Sequence, residues 1–169
     1  MGSESQKPWM SRDEVALIDS YLTSEMRVLE WGCGGSTNYF TPKVREFISV
    51  EHKAEWWKRI CTPGLDIRLI PARLEMPVPH DLKAYPPRYY EIFRDYVETP
   101  RTWGRFDAVL IDGRARLFCA VEAIQHLLGP GGYLFFHDFF PRTRYQTFRL
   151  WREPIASVQT GQTLAVFRA

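Results

Sequence analysis

Ten consecutive residues, Val28-Leu-Glu-Trp-Gly-Cys-Gly-Gly-Ser-Thr37, constrain the fold more than any other stretch. An apolar run of strand character ends in glycines and continues into two hydroxyl side chains. Gly32, Gly34 and Gly35 permit positive φ and close backbone approach, while Ser36 or Thr37 can cap a following helix and leave its first N–H groups aimed at a ligand. One carboxylate, Glu30, stands at the end of the run. The layout is that of a cradle for a nucleoside-bearing cofactor, although a glycine cluster alone is a weak signal.

A second acid strengthens it. Phe47-Ile-Ser-Val50 is another buried-type strand and ends in Glu51, about 20 residues beyond the turn, where nucleotide-binding folds place the carboxylate that grips ribose hydroxyls. A solvated strand end would explain Glu51 equally well if it stood alone.

The rest of the chain alternates. Ser11-Arg-Asp-Glu14 forms a capping box with Met10 and Val15 as a hydrophobic staple, and Val15, Ile18 and Leu22 recur at helical spacing. Beyond the strand at 27–31, the pattern predicts a short helix near Thr37 that Pro42 ends or kinks, a strand at 47–50, a helix over 54–60 and a strand over 66–70. A proline-rich excursion over 71–87 precedes a helix over 88–97 and an apolar strand, 106–111, ending at Asp112. A helix over 115–128 is stopped by Gly129-Pro-Gly-Gly132. A strand over 133–136 then ends at His137-Asp138, followed by a helix over 142–151 and a closing hairpin of 155–159 and 163–167.

Strand–helix alternation requires a mostly parallel sheet, and the tight last turn adds an antiparallel strand. With 169 residues, 45% of them hydrophobic, the chain can bury one sizeable core. The expectation is a single α/β domain over 1–169. It is a doubly wound, Rossmann-like, mostly parallel sheet with an antiparallel C-terminal hairpin strand, and 1–10 form a flexible N-terminal segment.

Glu30, Glu51, Asp112 and Asp138 would then end the first, second, fourth and fifth strands, along the edge where open α/β sheets bind ligands. Glu30 and Asp112 would flank the switch-point crevice. Four crowded carboxylates repel one another unless cations or ligand hydroxyls compensate them. Asp112 alone could instead cap the helix that follows Gly113.

The turn reads Glu-x-Gly-x-Gly-Gly-Ser and so resembles that of the class I S-adenosyl-L-methionine-dependent methyltransferases. Glu30, Gly32 and Gly34 match that pattern, and Ser36 stands where a further glycine is usual. Val109-Leu-Ile-Asp-Gly-Arg114, Leu128-Gly-Pro-Gly-Gly-Tyr133 and His137-Asp138 look like small-molecule O-methyltransferases of the macrocin and catechol types. The resemblance implies S-adenosyl-L-methionine held by Glu30, Gly32, Gly34, Gly35, Ser36, Glu51 and Asp112. His52 would lie beside its adenosine, and Ala72, in Pro71-Ala72-Arg73, near adenine. Its sulfonium and ammonium charges suit an acidic rim.

The same resemblance implies a magnesium ion (Mg2+) on Asp112 and Asp138, orienting a substrate hydroxyl and favouring its deprotonated form. Phe139 replaces the asparagine that follows the second acid in the catechol type, so no complete ligand set is assigned. Without the ion, Asp138 or His137 would serve as direct base. The expected reaction is displacement at the methyl carbon, on a hydroxyl of a small-molecule or sugar-like acceptor.

Charge narrows the partners. Lys plus Arg total 22 against 20 Asp plus Glu, a net charge of +2 that supports neither nucleic acid nor an anionic membrane surface. Arg142, Arg144, Arg149 and Arg152, interleaved with Phe139, Tyr145, Phe148 and Trp151, read as an amphipathic surface rather than a stacking platform. The stripe Tyr85, Tyr89, Tyr90, Phe93 and Tyr96 reads as packing on the sheet before it reads as a lid, and Cys33 as a small turn residue. Tyr85-Pro-Pro-Arg88 resembles a motif of amino-group methyltransferases but precedes the fourth strand instead of ending it. Three scattered cysteines and the lack of a leader or spanning run point to a cytoplasmic protein with reduced thiols. The rivals are a donor-binding protein without turnover, an RNA or protein methyltransferase, and a pyridine-nucleotide reductase. No feature sets an oligomeric state.

Overall fold

The computed structural model describes residues 7–73 and 89–169; His80, Tyr85 and the Tyr85-Pro-Pro-Arg88 motif lie outside them. One sheet holds seven strands: β1 (Arg27–Trp31), β2 (Glu46–Glu51), β3 (Asp66–Leu69), β4 (Phe106–Ile111), β5 (Leu128–His137), β6 (Ala156–Val158) and β7 (Leu164–Arg168). Their order is β3-β2-β1-β4-β5-β7-β6. β1 to β5 run parallel, and β7 inserts antiparallel between β5 and β6. Strand order reverses between β1 and β4, which is the expected switch point.

The central strands are buried on both faces, so successive side chains feed two cores. Val28, Phe47, Leu110 and Phe135 face Ile18 of α1 (Arg12–Asp19) and Phe40 of α2 (Gly35–Phe40). Leu29, Trp31, Val109 and Ile111 face the other way, toward Tyr89, Phe93 and Tyr96 of α4 (Tyr89–Glu98) and Cys119 of α5 (Arg116–Glu122); α3 (Ala54–Ile60) lies between β2 and β3 in sequence. The tyrosine stripe therefore packs on the sheet at 89, 93 and 96. The predicted capping box is present: the Ser11 hydroxyl accepts from the Glu14 N–H at 3.3 Å, and the Glu14 carboxylate accepts from the Ser11 N–H at 2.8 Å.

Three boundaries differ from the sequence expectation. β5 starts at Leu128 rather than Tyr133, because Leu128 pairs with Phe106 and a register shift carries the glycine run into the strand. A Cβ on Gly132 would lie 2.9 Å from the Asp107 carbonyl, so glycine there permits close strand approach and does not stop a helix. The preceding helix is α5 alone, closed by a π turn over Ala123–Leu127, and Ala115 sits before it in the left-handed region with φ 53°. The helix expected over 142–151 is a four-residue α6 (Thr143–Gln146) followed by a 3-10 turn over Thr147–Leu150. The Thr147 hydroxyl donates to the Arg144 carbonyl at 2.7 Å, one of the local bonds that compete with a longer helix. Among the described residues, no helix is long and apolar enough to cross a membrane.

Candidate functional site

Gly32 ends β1 at φ 105°, with its N–H donating to the Val50 carbonyl at 2.8 Å. A Cβ on Gly32 would come within 3.0 Å of the Gly113 nitrogen, so the loops after β1 and β4 meet on glycine. Gly34 is the N-cap of α2, and nothing lies within 4 Å of where its Cβ would stand. Gly35 is different. A Cβ there would overlap the Lys7 carbonyl, so its lack of a side chain seats Lys7-Pro8 on the turn. That contact ties down part of the segment expected to be flexible.

Glu30 does not stand on the rim. Its place in β1 turns the carboxylate toward α2, where it is completely buried. Ser36 donates a short hydrogen bond to Oε1, while Thr37 and Ser49 donate to Oε2 at 2.6 and 2.7 Å. Burial pushes its pKa up to about 7; the three hydroxyl bonds pull down, and the charge of Asp112 adds to the rise. Glu30 and Ser36 thus bind the glycine turn to the sheet. The N-cap of α2 is Gly34 rather than Ser36, and Thr37, at N3, makes the reciprocal half of a capping box by accepting from the Gly34 N–H at 3.0 Å.

Glu51, at the end of β2, is held otherwise. Its Oε1 accepts from the His52 and Lys53 backbone N–H groups, both at 2.8 Å, and lies 2.9 Å from His52 Nδ1. Its Oε2 accepts from the Cys33 thiol at 3.7 Å. Burial would raise the pKa, but the His52 hydrogen bond and charge, with the two backbone donors, outweigh it and leave the carboxyl below its ordinary value. His52 packs edge-on against Phe93 and Tyr96. Ala72 is half-buried beside the same core, in a segment tied to α4 by the Arg73 N–H to the Ile92 carbonyl at 2.9 Å and by the Arg73–Asp95 pair.

Across the switch point, Asp112 Oδ1 accepts from Arg116 Nη2 at 3.0 Å and faces His137 Nδ1 at 2.7 Å. It does not cap α5, whose N-cap is Ala115. The His137 ring is 3% exposed, and its other nitrogen faces Glu14 at 3.4 Å, so it cannot reach an acceptor as direct base. Burial would lower the imidazole pKa, but the hydrogen bond and charge of Asp112 raise it on balance. Asp112 is lowered: burial alone would raise it, and His137 and Arg116 overcome that. Asp138, at φ 57°, has Oδ2 3.3 Å from Arg116 Nη1 and 3.6 Å from Arg142 Nη2.

Sequence reasoning sets Arg114 and Arg116 around the acceptor pocket, but no local pattern signals the contacts that Arg116 and Glu14 make. Glu14 was readable only as half of a capping box, since nothing local says that α1 crosses the end of β5. Ser49 did carry a signal, being the one polar side chain inside Phe47-Ile-Ser-Val50, and it pairs in register with Glu30. His126 is exposed on the π turn. Of the arginine cluster, Arg149 pairs with Glu153 and Arg152 donates to the Arg168 carbonyl, as an ordinary surface does.

No family profile and no curated protein sequence matches the chain. Solved structures do. A methyltransferase-like protein from Silicibacter pomeroyi is 20% identical, with TM-score 0.69, over 99% of this chain and 90% of that one. The N-methyltransferase NodS from Bradyrhizobium japonicum, in complex with S-adenosyl-L-homocysteine, is 16% identical, with TM-score 0.57, over 99% and 92%. The methyltransferase MycE of the mycinamycin biosynthetic pathway, in complex with Mg, S-adenosyl-L-homocysteine and mycinamycin VI, is 16% identical, with TM-score 0.54, over 95% of this chain and 50% of its own. The strand order and these likenesses establish that the chain adopts the class I methyltransferase fold along nearly its whole length.

Proposed function

We propose that the chain is an S-adenosyl-L-methionine-dependent methyltransferase acting on a hydroxyl of a small-molecule or sugar-like acceptor. The observation that carries this reading is the state of Glu51. At the end of β2, beside the glycine turn, one carboxylate oxygen is fixed by two backbone N–H groups, while among the described residues the other accepts a hydrogen bond from a thiol alone. A ribose diol offers hydroxyl donors to such an oxygen, and the lowered pKa keeps it charged at neutral pH. Gly34 leaves the adjoining backbone bare, and His52 is braced on Phe93 and Tyr96 where an adenosine would need a wall. NodS and MycE, with the same fold, were both solved with the demethylated donor.

The donor, when bound, supplies an electrophilic methyl group on a sulfonium. The chain's own contribution is to hold the sugar at Glu51, exclude water, and hold the acceptor hydroxyl at Asp112, the carboxylate beside the crevice with 28% of its side chain exposed. A magnesium ion does not fit what surrounds Asp112 and Asp138: arginine and histidine nitrogens already face one oxygen of each, the Arg116 guanidinium stands between them, and the Phe139 side chain offers only carbon.

Calorimetric titration tests the donor site. S-adenosyl-L-methionine and S-adenosyl-L-homocysteine should bind and NAD should not, and Glu51→Ala should weaken the first two roughly 100-fold, as loss of a charge-assisted hydrogen-bonding group does. Tight NAD binding would point to a reductase instead. Transfer of a labelled methyl group to a panel of hydroxylated small molecules tests the acceptor. Label found only in RNA or protein would overturn that half of the proposal, and donor binding without any transfer would mean a non-catalytic binding protein.

A further inference from the structure

Resting on the methyltransferase reading, the geometry points to Arg116 as the resident cation of the acceptor side: its guanidinium stands between Asp112 and Asp138, and methyl transfer runs without a divalent ion. Every arm of the fork is used. Nε donates to the Gly113 carbonyl at 3.0 Å. Nη1 donates to the His137 carbonyl at 2.5 Å and lies 3.3 Å from Asp138 Oδ2. Nη2 donates to the Asp112 carbonyl at 2.8 Å and to its Oδ1 at 3.0 Å. A planar guanidinium meets acceptors on three sides at once, which a lysine ammonium on a flexible stem does not.

The same contacts leave no seat for a metal. Magnesium demands near-octahedral oxygen ligands at about 2.0–2.1 Å. Asp112 Oδ1 already serves Arg116 and His137, and Asp138 Oδ2 faces Arg116 and Arg142. An entering dication would have a guanidinium within hydrogen-bonding distance of both its ligands. Among the described residues, no group of three or more His, Cys, Asp or Glu is arranged to hold a metal ion. Arg116 is a positioning residue: it fixes one Asp112 oxygen and the loop carbonyls after β4 and β5, so that the carboxylate meets the acceptor in a single orientation.

The experiment uses Mn2+ as a paramagnetic stand-in for Mg2+, titrated into the 169-residue chain and followed by electron paramagnetic resonance. Wild type should show no stoichiometric site, and its affinity for S-adenosyl-L-homocysteine should be the same with EDTA or with Mg2+. A stoichiometric wild-type site that Asp138→Asn abolishes would overturn the inference. Arg116→Gln keeps the bulk and removes the charge, and should bind Mn2+ at least about tenfold more tightly than wild type, a gain cancelled by adding Asp138→Asn. A folded Arg116→Gln protein that binds no Mn2+ would show that the acids are not a cation seat and would also overturn it. Should that variant fail to fold, the wild-type titration decides alone. Failure to bind S-adenosyl-L-homocysteine, with Mn2+ still excluded, would sink the methyltransferase reading and leave the place of Arg116 standing.

Discussion

Glu30 and Glu51 stand at or near the ends of neighbouring parallel strands, two residues out of register because Glu30 pairs with Ser49, yet they behave as opposites. Three hydroxyls surround Glu30 inside the protein, and burial raises its pKa to about 7. Backbone N–H groups and an imidazole surround Glu51, and its pKa falls below the ordinary value. Hydroxyls can donate to a carboxylate or accept from a carboxylic acid, so they tolerate either form; N–H groups only donate, and they select the anion. An acid at a strand end therefore belongs to the fold or to the ligand according to which donors meet it.

The largest way to break this contrast is Glu30→Ala. It leaves three buried hydroxyls without their common partner and opens a small cavity, so stability should fall by roughly 3–4 kcal/mol at pH 5. At about 2–4 °C per kcal/mol for a chain of this size, thermal unfolding should begin on the order of 10 °C lower. A loss under about 1 kcal/mol would show that Glu30 does not anchor the turn.

Next in size is the pH dependence. Between its ordinary 4.5 and about 7, the folded chain holds the Glu30 proton more tightly than the unfolded chain does. The associated stability is fully present below about pH 4.5 and lost as pH rises through about 7, amounting to about 3 kcal/mol. Glu51, lowered by folding, has the reverse sign: its contribution is present above the ordinary glutamate range and lost as pH falls. Glu30→Gln should flatten the decline between pH 5 and pH 8 in urea unfolding, whereas Glu51→Gln should leave it in place. An unchanged slope in Glu30→Gln would refute the assignment.

Ligand affinity sharpens the contrast at a smaller scale. Glu51→Gln, which keeps an acceptor but no charge, should weaken S-adenosyl-L-homocysteine about tenfold by calorimetry, and Glu30→Gln by less than about threefold. Equal losses would mean that the two acids share the ligand after all.

The alternation of strands and helices was legible because the strands are short, largely apolar runs, several of them closed by an acid or glycine, and each connection but the last has room for a crossover. Boundaries failed where glycine served close approach, as at Gly132, rather than chain reversal. That Glu51, Asp112 and Asp138 share one sheet edge was legible, but the directions of the side chains were not. That Glu30 turns inward depends on the parity of β1 against α2, and that Asp112 and Asp138 are neutralised depends on Arg116 reaching back across one helical turn to carbonyls of two strands. Such cross-strand partners leave no mark in local spacing. Ser49 opposite Glu30 is the exception, a hydroxyl whose place in an apolar run is itself the clue.

The smallest expected effect probes the Glu51 charge through a neighbour. Cys33 lies in the glycine turn, half-exposed, with its thiol 3.7 Å from Glu51 Oε2. Burial first, then the charges of Glu51 and Glu30, push its pKa well above the ordinary thiol value. The thiolate is the nucleophile, so Cys33 should alkylate with iodoacetamide more slowly at pH 8 than an unhindered thiol. Removing the nearer charge in Glu51→Gln should speed alkylation a few-fold, on the order of what one partly screened charge contributes. Glu30→Gln should change the rate less, because its charge raises the thiol pKa less than that of Glu51 does. Mass spectrometry of the Cys33 peptide separates this thiol from Cys61 and Cys119, and a rate indifferent to both substitutions would mean that burial alone sets its reactivity.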